Sequence, residues 1–404
     1  MKGANDMKLN PIITSLLETD LYKFSMGQAI YHMFPNYTTT WTFKCRNGNV
    51  VFTKEMVREI KSQIKHFCKL RFTEGEIKYL DNIAWTDRDY IDHLKNWKPN
   101  YKEFKITTKA KCGLSIETNG TWLNTSMYEI PVLAIVNEVY YRFKFSKVYN
   151  VLVDSFKERL EKKVHRLETN EIYLGNFSDF GLRRRLSSEA QEMMIQSFMD
   201  NEQFSGTSNV FLAKKYNIRP IGTMAHEWIM CVGQGLNQDI AAYSNYFALK
   251  SWYDEYCGLN GIALTDTITT DCFLKDFNIN LATMYGGVRH DSGSPFEWGN
   301  KIIDHYKKLG IDPKKKTLVF SDSLCFDVAD DIRKYFEDRT NVSFGIGTYL
   351  TNDTIFEPLN IVMKVTECNG HDVAKISDVE GKGMCKNKEY VDFLKRCIKA
   401  RVED

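Results

Sequence analysis

The stretch Gly222-Thr223-Met224-Ala225-His226-Glu227 places a histidine directly after a β-like run, Ile218 to Thr223. The same arrangement recurs downstream, where reactive side chains follow short apolar runs: Thr265-Asp266, Arg289-His290-Asp291-Ser292-Gly293 and Ser321-Asp322. Because β-like runs near residues 172, 218, 261, 286, 317 and 342 alternate with helical segments, the chain is predicted to form parallel strands joined by helical crossovers. Active sites form at the carboxyl ends of such strands, so we expect these clusters to meet in one site.

Six strand–helix units fit an irregular (β/α) barrel, closed or incomplete, better than a Rossmann sheet, because no Gly-x-Gly-x-x-Gly follows any of the runs. The first third of the chain has a different pattern. A helix after Asp20 is ended by Pro35, and large and small residues alternate from Tyr37 to Cys45 as in a half-buried strand. Helices are predicted near 53–69, 73–82 and 86–97, short strands near 104–117, and a hairpin around Asn369-Gly370. We therefore expect an α+β domain over residues 1–145, joined by the C-terminal segment, and the barrel over residues 146–404.

The composition excludes several classes of function. The 404 residues carry 54 Lys and Arg against 52 Asp and Glu, so a net charge of +2 supports neither a nucleic-acid footprint nor attraction to a membrane surface. The longest apolar run, Ile130 to Val136, is too short to span a bilayer, and residues 1–11 lack the apolar segment of a signal peptide. The expected location is the cytoplasm.

The cysteines and histidines do not have metal-site spacing. No two of the ten cysteines are closer than Cys385 and Cys397, and no His-Glu-x-x-His motif occurs. We expect reduced thiols and no structural metal.

Two further clusters indicate what the site binds. The stretch from Phe177 to Arg185 combines aromatic rings with three arginines, which suits stacking on a flat ring and pairing with a carboxylate or phosphate. The turn Phe344-Gly345-Ile346-Gly347-Thr348 could hold a phosphate on its backbone N–H groups. Taken alone, a solvated arginine face and an ordinary turn remain open as alternatives.

Placed in order, these motifs make the chain resemble the nicotinate phosphoribosyltransferase family along nearly its whole length. The resemblance is carried by Thr19-Asp20-Leu21-Tyr22-Lys23, Asp179-Phe180-Gly181-Leu182-Arg183-Arg184, Gly222-Thr223-Met224-Ala225-His226-Glu227, Ala263-Leu264-Thr265-Asp266-Thr267, Arg289-His290-Asp291-Ser292-Gly293 and Phe344-Gly345-Ile346-Gly347-Thr348. It implies an α/β N-terminal domain packed on an irregular barrel, and a homodimer with shared active sites. It also implies that nicotinate and 5-phosphoribosyl 1-pyrophosphate give nicotinate mononucleotide and pyrophosphate, coupled to ATP hydrolysis with Mg²⁺, in NAD salvage.

The resemblance also assigns roles to single residues. His226 is similar to the histidine that ATP phosphorylates, and an imidazole nitrogen can accept a phosphoryl group. Tyr22, delivered by the partner subunit, and Phe180 are expected to sandwich the pyridine ring, with Arg183 near the substrate carboxylate. A satisfied histidine at a helix start and a core tyrosine are the alternatives from the residues alone.

Further roles concern the ribose and the phosphates. Arg289 and Asp291 are expected to take part in catalysis by contacting nicotinate and the ribose hydroxyls or Mg²⁺. Ribose, Mg²⁺ and phosphate are assigned to Asp266, Asp322, Thr223, Gly345, Gly347 and Thr348. Structural ion pairs are the alternative for any one of the charged residues.

Two departures from the family pattern bear on substrate choice. Ser294 stands where an acidic residue is expected after His-Asp-Ser-Gly, which puts one Mg²⁺ or ribose contact in doubt. Ser208 stands where related nicotinamide-using enzymes have an aspartate, and a hydroxyl does not repel the carboxylate of nicotinate. An enzyme using nicotinamide or quinolinate, and an inactive barrel that binds phosphate ligands or a partner protein, are the competing hypotheses.

Overall fold

A computed structural model describes residues 9–108, 113–379, 383 and 385–403. The N-terminal part contains helices and an antiparallel sheet: α1 (Leu21–Met33), β1 (Thr38–Cys45), α2 (Lys54–Phe67), α3 (Glu74–Asp81), α4 (Arg88–Asn96), β2 (Phe104–Thr107), β3 (Ser115–Thr121), α5 (Trp122–Thr125), α6 (Glu129–Lys144) and α7 (Tyr149–Glu168). These elements match the predicted ones closely. At the start of α3, for example, Thr73 and Glu76 form the capping box that their spacing predicts.

The rest of the chain alternates strands and helices: β4 (Phe177–Asp179), α8 (Ser188–Phe198), β5 (Phe204–Thr207), α9 (Val210–Tyr216), α10 (His226–Ile229), α11 (Ser244–Tyr256), β6 (Ile262–Leu264), α12 (Thr270–Asp276), α13 (Ile279–Met284), β7 (Gly287–His290), α14 (Pro295–Lys308), β8 (Thr317–Phe320), α15 (Phe326–Phe336), β9 (Asn341–Ile346), α16 (Thr348–Thr351), β10 (Ile361–Cys368), β11 (His371–Asp372) and α17 (Lys388–Glu403). The predicted α/β class is confirmed.

Six parallel strands form the larger sheet in the order β5-β4-β9-β8-β7-β6. A closed barrel is not confirmed, because the hydrogen-bonded order ends at β5 and β6. The segment 219–223 lies between these two strands: Ile221 N donates to Thr207 O at 2.8 Å, and Thr223 Oγ1 donates to Ile262 O at 3.2 Å. The α/β part is therefore a parallel sheet whose gap is filled by irregular chain.

Two strand predictions were wrong. The run Ile218 to Thr223 makes only an isolated bridge between Pro220 and Thr207, since a proline offers no N–H to a ladder. The strand predicted near residue 172 lies at β4, and β5 was not predicted. Its sequence, Phe204-Ser205-Gly206-Thr207, has one large apolar residue and no alternation.

The antiparallel sheet has the order β11-β10-β1-β3-β2 and brings the two ends of the chain together. Trp41 of β1 lies between Val365 of β10 and Thr118 of β3. The hairpin of β10 and β11 turns at Asn369 and Gly370, as predicted. This pairing supports the proposal that the C-terminal segment completes the N-terminal domain, and the division near residue 145 remains a proposal.

A continuous apolar core joins the two sheets, and α6 is buried along most of its length between them. Among the residues described, no helix combines the length and the apolar character needed to cross a membrane. The start of α1 contacts the carboxyl end of β5, where Leu21 N donates to Ser208 O at 2.9 Å, and polar side chains gather there.

Candidate active site

A cavity of about 640 Å³ opens at the carboxyl ends of the parallel strands. Its wall includes residues that directly follow β4, β5, β7, β8 and β9, namely Phe180, Ser208, Asp291, Ser321 and Gly347. α1 and β10 supply the opposite wall. The prediction that the strand ends meet in one site is confirmed.

His226 begins α10 at one end of this cavity. Its Nε2 lies 2.9 Å from Asp266 Oδ1, 2.8 Å from Lys375 Nζ and 3.5 Å from Asp291 Oδ2. One nitrogen cannot donate to Asp266 and accept from Lys375 at once, so the neutral ring makes one of these two hydrogen bonds at a time. We call this group of four side chains the histidine end.

The surroundings keep the imidazole neutral. Burial, together with the ammonium of Lys375, lowers the pKa of His226 to about 4, although Asp266 acts in the opposite direction. Burial alone would raise the pKa of Asp266, but His226 and Lys375 hold it well below its usual range. At neutral pH the ring therefore retains a lone pair, as a nitrogen nucleophile requires.

The other end of the cavity is formed around Arg183, and we call it the ring end. Arg183 Nη2 donates to the hydroxyl of Tyr22 at 3.3 Å and lies 3.6 Å from Asp20 Oδ2, while Nη1 lies 3.9 Å from Glu129 Oε1. The rings of Tyr22 and Phe180 both line the cavity here. Two aromatic faces and a guanidinium are the groups that bind a flat ring carrying a carboxylate.

Two glycines let the ring end assemble. A Cβ on Gly345 would lie 2.3 Å from the ring of Phe180, so only glycine leaves room for that ring. A Cβ on Gly222 would lie 3.1 Å from the backbone nitrogen of Tyr22. Because residue 222 is a glycine, the start of α1 packs closely against the segment before His226. This backbone contact links the two ends of the cavity.

Two predicted residues of the ring end have contacts within this chain. Tyr22 lines the cavity of its own chain, and the expected delivery of a tyrosine by a partner subunit stays a prediction. Ser208 lines the cavity, but its hydroxyl donates to Asp20 Oδ1 at 2.7 Å. Burial raises the pKa of Asp20, and the nearby Arg183 opposes that rise.

Three residues that were predicted to bind substrate lie behind the cavity wall and do not line the cavity. Asp266 is fully buried and holds His226, Lys375 and Ser292. Thr223 donates to the backbone of β6 and accepts from Ser25 through its carbonyl, so it holds the segment before His226. Gly345 packs against Phe180. By contrast, Gly347, Thr348, Asp322, Asp291 and Arg289 line the cavity as expected.

Ser294, the residue that departs from the family pattern, lies outside this cavity. Its hydroxyl accepts from Glu297 N and caps α14. A serine at that position suits a helix start better than a ligand contact.

Sequence reasoning missed three cations that line the cavity, Arg46, Lys364 and Lys375, whereas Arg184, which also lines it, belongs to the predicted arginine cluster. Burial lowers the pKa of Lys364 to about 7, with Lys375 and Arg46 adding to the effect, and lowers that of Arg184 to about 10. Together with Arg289 these side chains make the cavity a receptor for anions such as phosphates. Arg46 lies just after β1, Lys364 lies on β10 and Lys375 lies just after β11. Only the long-range pairing of these strands shows that the three side chains reach the site.

The carboxylates permit a test of the cavity for a divalent cation. His226, Asp266 and Asp291 each bring one possible ligand atom within 4.8 Å of the others. Lys375 Nζ, however, lies 2.7 Å from Asp266 Oδ2, so an ammonium already neutralises that carboxylate. Mg²⁺ prefers oxygen ligands and keeps several waters, which fits the cavity-lining carboxylates of Asp291 and Asp322 and does not fit Asp266.

Comparisons with known proteins agree with one another. The model of the nicotinate phosphoribosyltransferase (NAPRTase) family matches residues 176–400, and the model of its N-terminal domain matches residues 17–137. A protein from Pseudomonas savastanoi pv. phaseolicola named nicotinate phosphoribosyltransferase is 43% identical over 398 residues, covering 96% of each chain.

Two solved structures are similar over the whole chain. The nicotinate phosphoribosyltransferase from Vibrio cholerae has a TM-score of 0.88 at 37% identity and covers 98% of each chain. A putative nicotinate phosphoribosyltransferase from Saccharomyces cerevisiae has a TM-score of 0.89 at 35% identity, covering 97% of this chain and 100% of that one.

Proposed function

The chain belongs to the nicotinate phosphoribosyltransferase family, and from this premise we propose that it makes nicotinate mononucleotide by an ATP-coupled reaction through a phosphohistidine at His226. The enzyme is a nicotinate phosphoribosyltransferase, and its substrates are nicotinate and 5-phosphoribosyl 1-pyrophosphate. ATP coupling, the phosphohistidine, Mg²⁺, a homodimer and a cytoplasmic location are the finer parts of the proposal.

One observation carries the phosphohistidine: the imidazole of His226 lines a cavity that several cationic side chains also line, and Lys375 Nζ lies 2.8 Å from its Nε2. A ring nitrogen of His226 would attack the γ-phosphorus of ATP, forming an N–P bond as the P–O bond to ADP breaks. Lys375 would stabilise the negative charge on the transferred group, and Asp266 would stabilise the cationic ring. Hydrolysis of the N–P bond would return the free histidine.

The transfer step needs positioning more than acid–base chemistry. The nicotinate nitrogen would attack the anomeric carbon of the ribose, and the bond to pyrophosphate would break with its electron pair leaving on oxygen. Tyr22, Phe180 and Arg183 would orient the ring. The missed cations would neutralise the phosphates. Mg²⁺, held by Asp291 and Asp322, would supply further charge neutralisation at the pyrophosphate.

The contents of the ring end favour nicotinate over the alternatives. Arg183 offers a positive partner to one carboxylate, and Ser208 adds no negative charge of its own. Quinolinate has two carboxylates, whereas Asp20 and Glu129 lie beside this guanidinium.

A substrate panel tests the proposal. Purified protein is offered nicotinate, nicotinamide or quinolinate with 5-phosphoribosyl 1-pyrophosphate and Mg²⁺, with and without ATP, and each mononucleotide is quantified. We expect nicotinate mononucleotide as the main product and a higher rate with ATP. Equal rates with and without ATP would overturn the coupling, and a different main product would overturn the substrate.

A further inference from the structure

Lys23 of α1 is a buried cation between the two ends of the cavity. Its side chain is 0% exposed, and its Nζ bonds Glu129 Oε2 at 2.7 Å and also Glu227 Oε2. The ammonium also lies 4.9 Å from the ring centre of Trp41 on β1. A single lysine thus joins α1, α6 and α10.

The two carboxylates that it bridges serve different ends of the cavity. Glu227 directly follows His226, and its Oε1 accepts from Ser126 Oγ at 2.5 Å and from Trp122 Nε1 at 3.3 Å. Glu129 lines the ring end, where its Oε1 lies 3.9 Å from Arg183 Nη1. Glu227 therefore keeps two neutral donors if Lys23 is removed, whereas Glu129 is left facing Arg183.

The charges of Lys23 and Glu129 decide whether Arg183 is available to bind a carboxylate. Although burial opposes it, the pair of glutamates raises the pKa of Lys23, so the lysine stays charged. A charged Lys23 neutralises Glu129 at a hydrogen-bonded distance, which leaves the longer contact of 3.9 Å to Arg183 weak. Without that neutralisation, Glu129 would compete with a bound carboxylate for the guanidinium.

We infer that Lys23 is a positioning residue that determines specificity: by holding Glu129, it keeps Arg183 available to the carboxylate of nicotinate. The inference rests on the proposed function and deepens it. Lys23 touches neither substrate nor His226, and it acts through Glu129 and Arg183.

The test is a double-mutant cycle on selectivity. The variants Lys23→Met, Glu129→Gln and Lys23→Met/Glu129→Gln are each assayed for kcat/KM with nicotinate and with nicotinamide. Because an unpaired glutamate would occupy the guanidinium, Lys23→Met should lower kcat/KM for nicotinate about 30-fold or more and that for nicotinamide less than about 3-fold. In the double variant, Glu129→Gln removes the carboxylate that competes for Arg183. The kcat/KM of the double variant for nicotinate should therefore lie within about 5-fold of that of Glu129→Gln alone.

Selectivity separates this role from a structural one. A lysine that only stabilises the fold would lower both kcat/KM values by the same factor, and that result would overturn the inference. Thermal unfolding of each variant measures the structural part. If Lys23→Met does not fold, Lys23→Gln replaces it in the same cycle, because it also removes the charge and keeps a hydrogen-bond donor toward the glutamates, and the same two outcomes decide.

The wild-type protein reports on the proposed function separately. If it forms no nicotinate mononucleotide, the proposed function fails and this inference fails with it. If the wild type prefers nicotinate and Lys23→Met loses activity equally on both substrates, only the role of Lys23 is overturned.

Discussion

The side-chain contacts at the histidine end of the cavity are shorter and more deeply buried than those at the ring end. At the histidine end, Lys375 is 4% exposed and Asp266 is 1% exposed, and their contacts with His226 are 2.8 and 2.9 Å long. At the ring end, Arg183 is 37% exposed and its contacts run from 3.3 to 3.9 Å. Short buried contacts hold a nucleophile in one place, whereas long contacts leave a guanidinium able to exchange its partner for a ligand. Four variants test this difference.

His226→Ala should have the largest effect. We expect ATP and Mg²⁺ to label the wild-type protein with an acid-labile, base-stable phosphate, and the variant to show no label and no stimulation by ATP. Some ATP-independent transfer should survive, because the ring end is intact. Labelling is measured with γ-labelled ATP and located by peptide mapping. A label on another histidine would contradict the assignment.

Lys375→Met should slow phosphorylation without abolishing it. Loss of a charge-assisted contact of about 2 to 3 kcal/mol corresponds to a labelling rate roughly 30- to 150-fold lower. The matched control is Lys316→Met. Lys316 is a buried lysine just before β8, at the amino end of that strand, and it donates to the carbonyls of Thr283 and Tyr285. Single-turnover labelling measures both variants. Equal slowing in both would mean that Lys375 acts only through stability.

Arg183→Met should change selectivity more than turnover. The wild type should use nicotinate roughly 30- to 900-fold better than nicotinamide, since a guanidinium without its carboxylate partner loses about 2 to 4 kcal/mol. The variant should lose most of this preference through a higher KM for nicotinate. Steady-state kinetics with both substrates measure it. A variant that keeps its preference would show that another group binds the carboxylate.

Tyr22→Ala should have the smallest effect, a rise of about 10-fold in KM for nicotinate from the loss of one stacked face. Because Tyr22 lies in the cavity of its own chain, mixing this variant with His226→Ala should restore no ATP-coupled activity. Differently tagged subunits that purify together provide the control for mixed dimers. Recovery toward half of the wild-type activity would instead indicate that Tyr22 crosses to a partner.

Whether the sequence could predict a site residue depends on whether a local pattern or a long-range contact places it. Phe180 and Asp291 follow strands directly and Asp322 lies two residues after β8, so local pattern and the rule of strand ends placed them in one site. The same rule placed His226 there, although the run before it is not a strand. Ser208 was found through the family resemblance instead, because β5 was not predicted as a strand.

The remaining site residues depend on contacts that no local pattern contains. Lys364 reaches the cavity because β10 pairs with β1, and Lys375 reaches His226 across 149 positions of sequence. Thr223 was misplaced for a related reason. It belongs to a motif of the site, but its side chain is turned toward the backbone of β6.

The pairing of β1 with β10 also has a consequence for biosynthesis. Trp41 and its partner Val365 leave the ribosome about 15 to 65 s apart at synthesis rates of roughly 5 to 20 residues per second. Until then, one edge of β1 is an open template for pairing with other chains. The nascent enzyme therefore exposes this edge for most of its translation, and the risk of aggregation through it ends only when β10 pairs with β1.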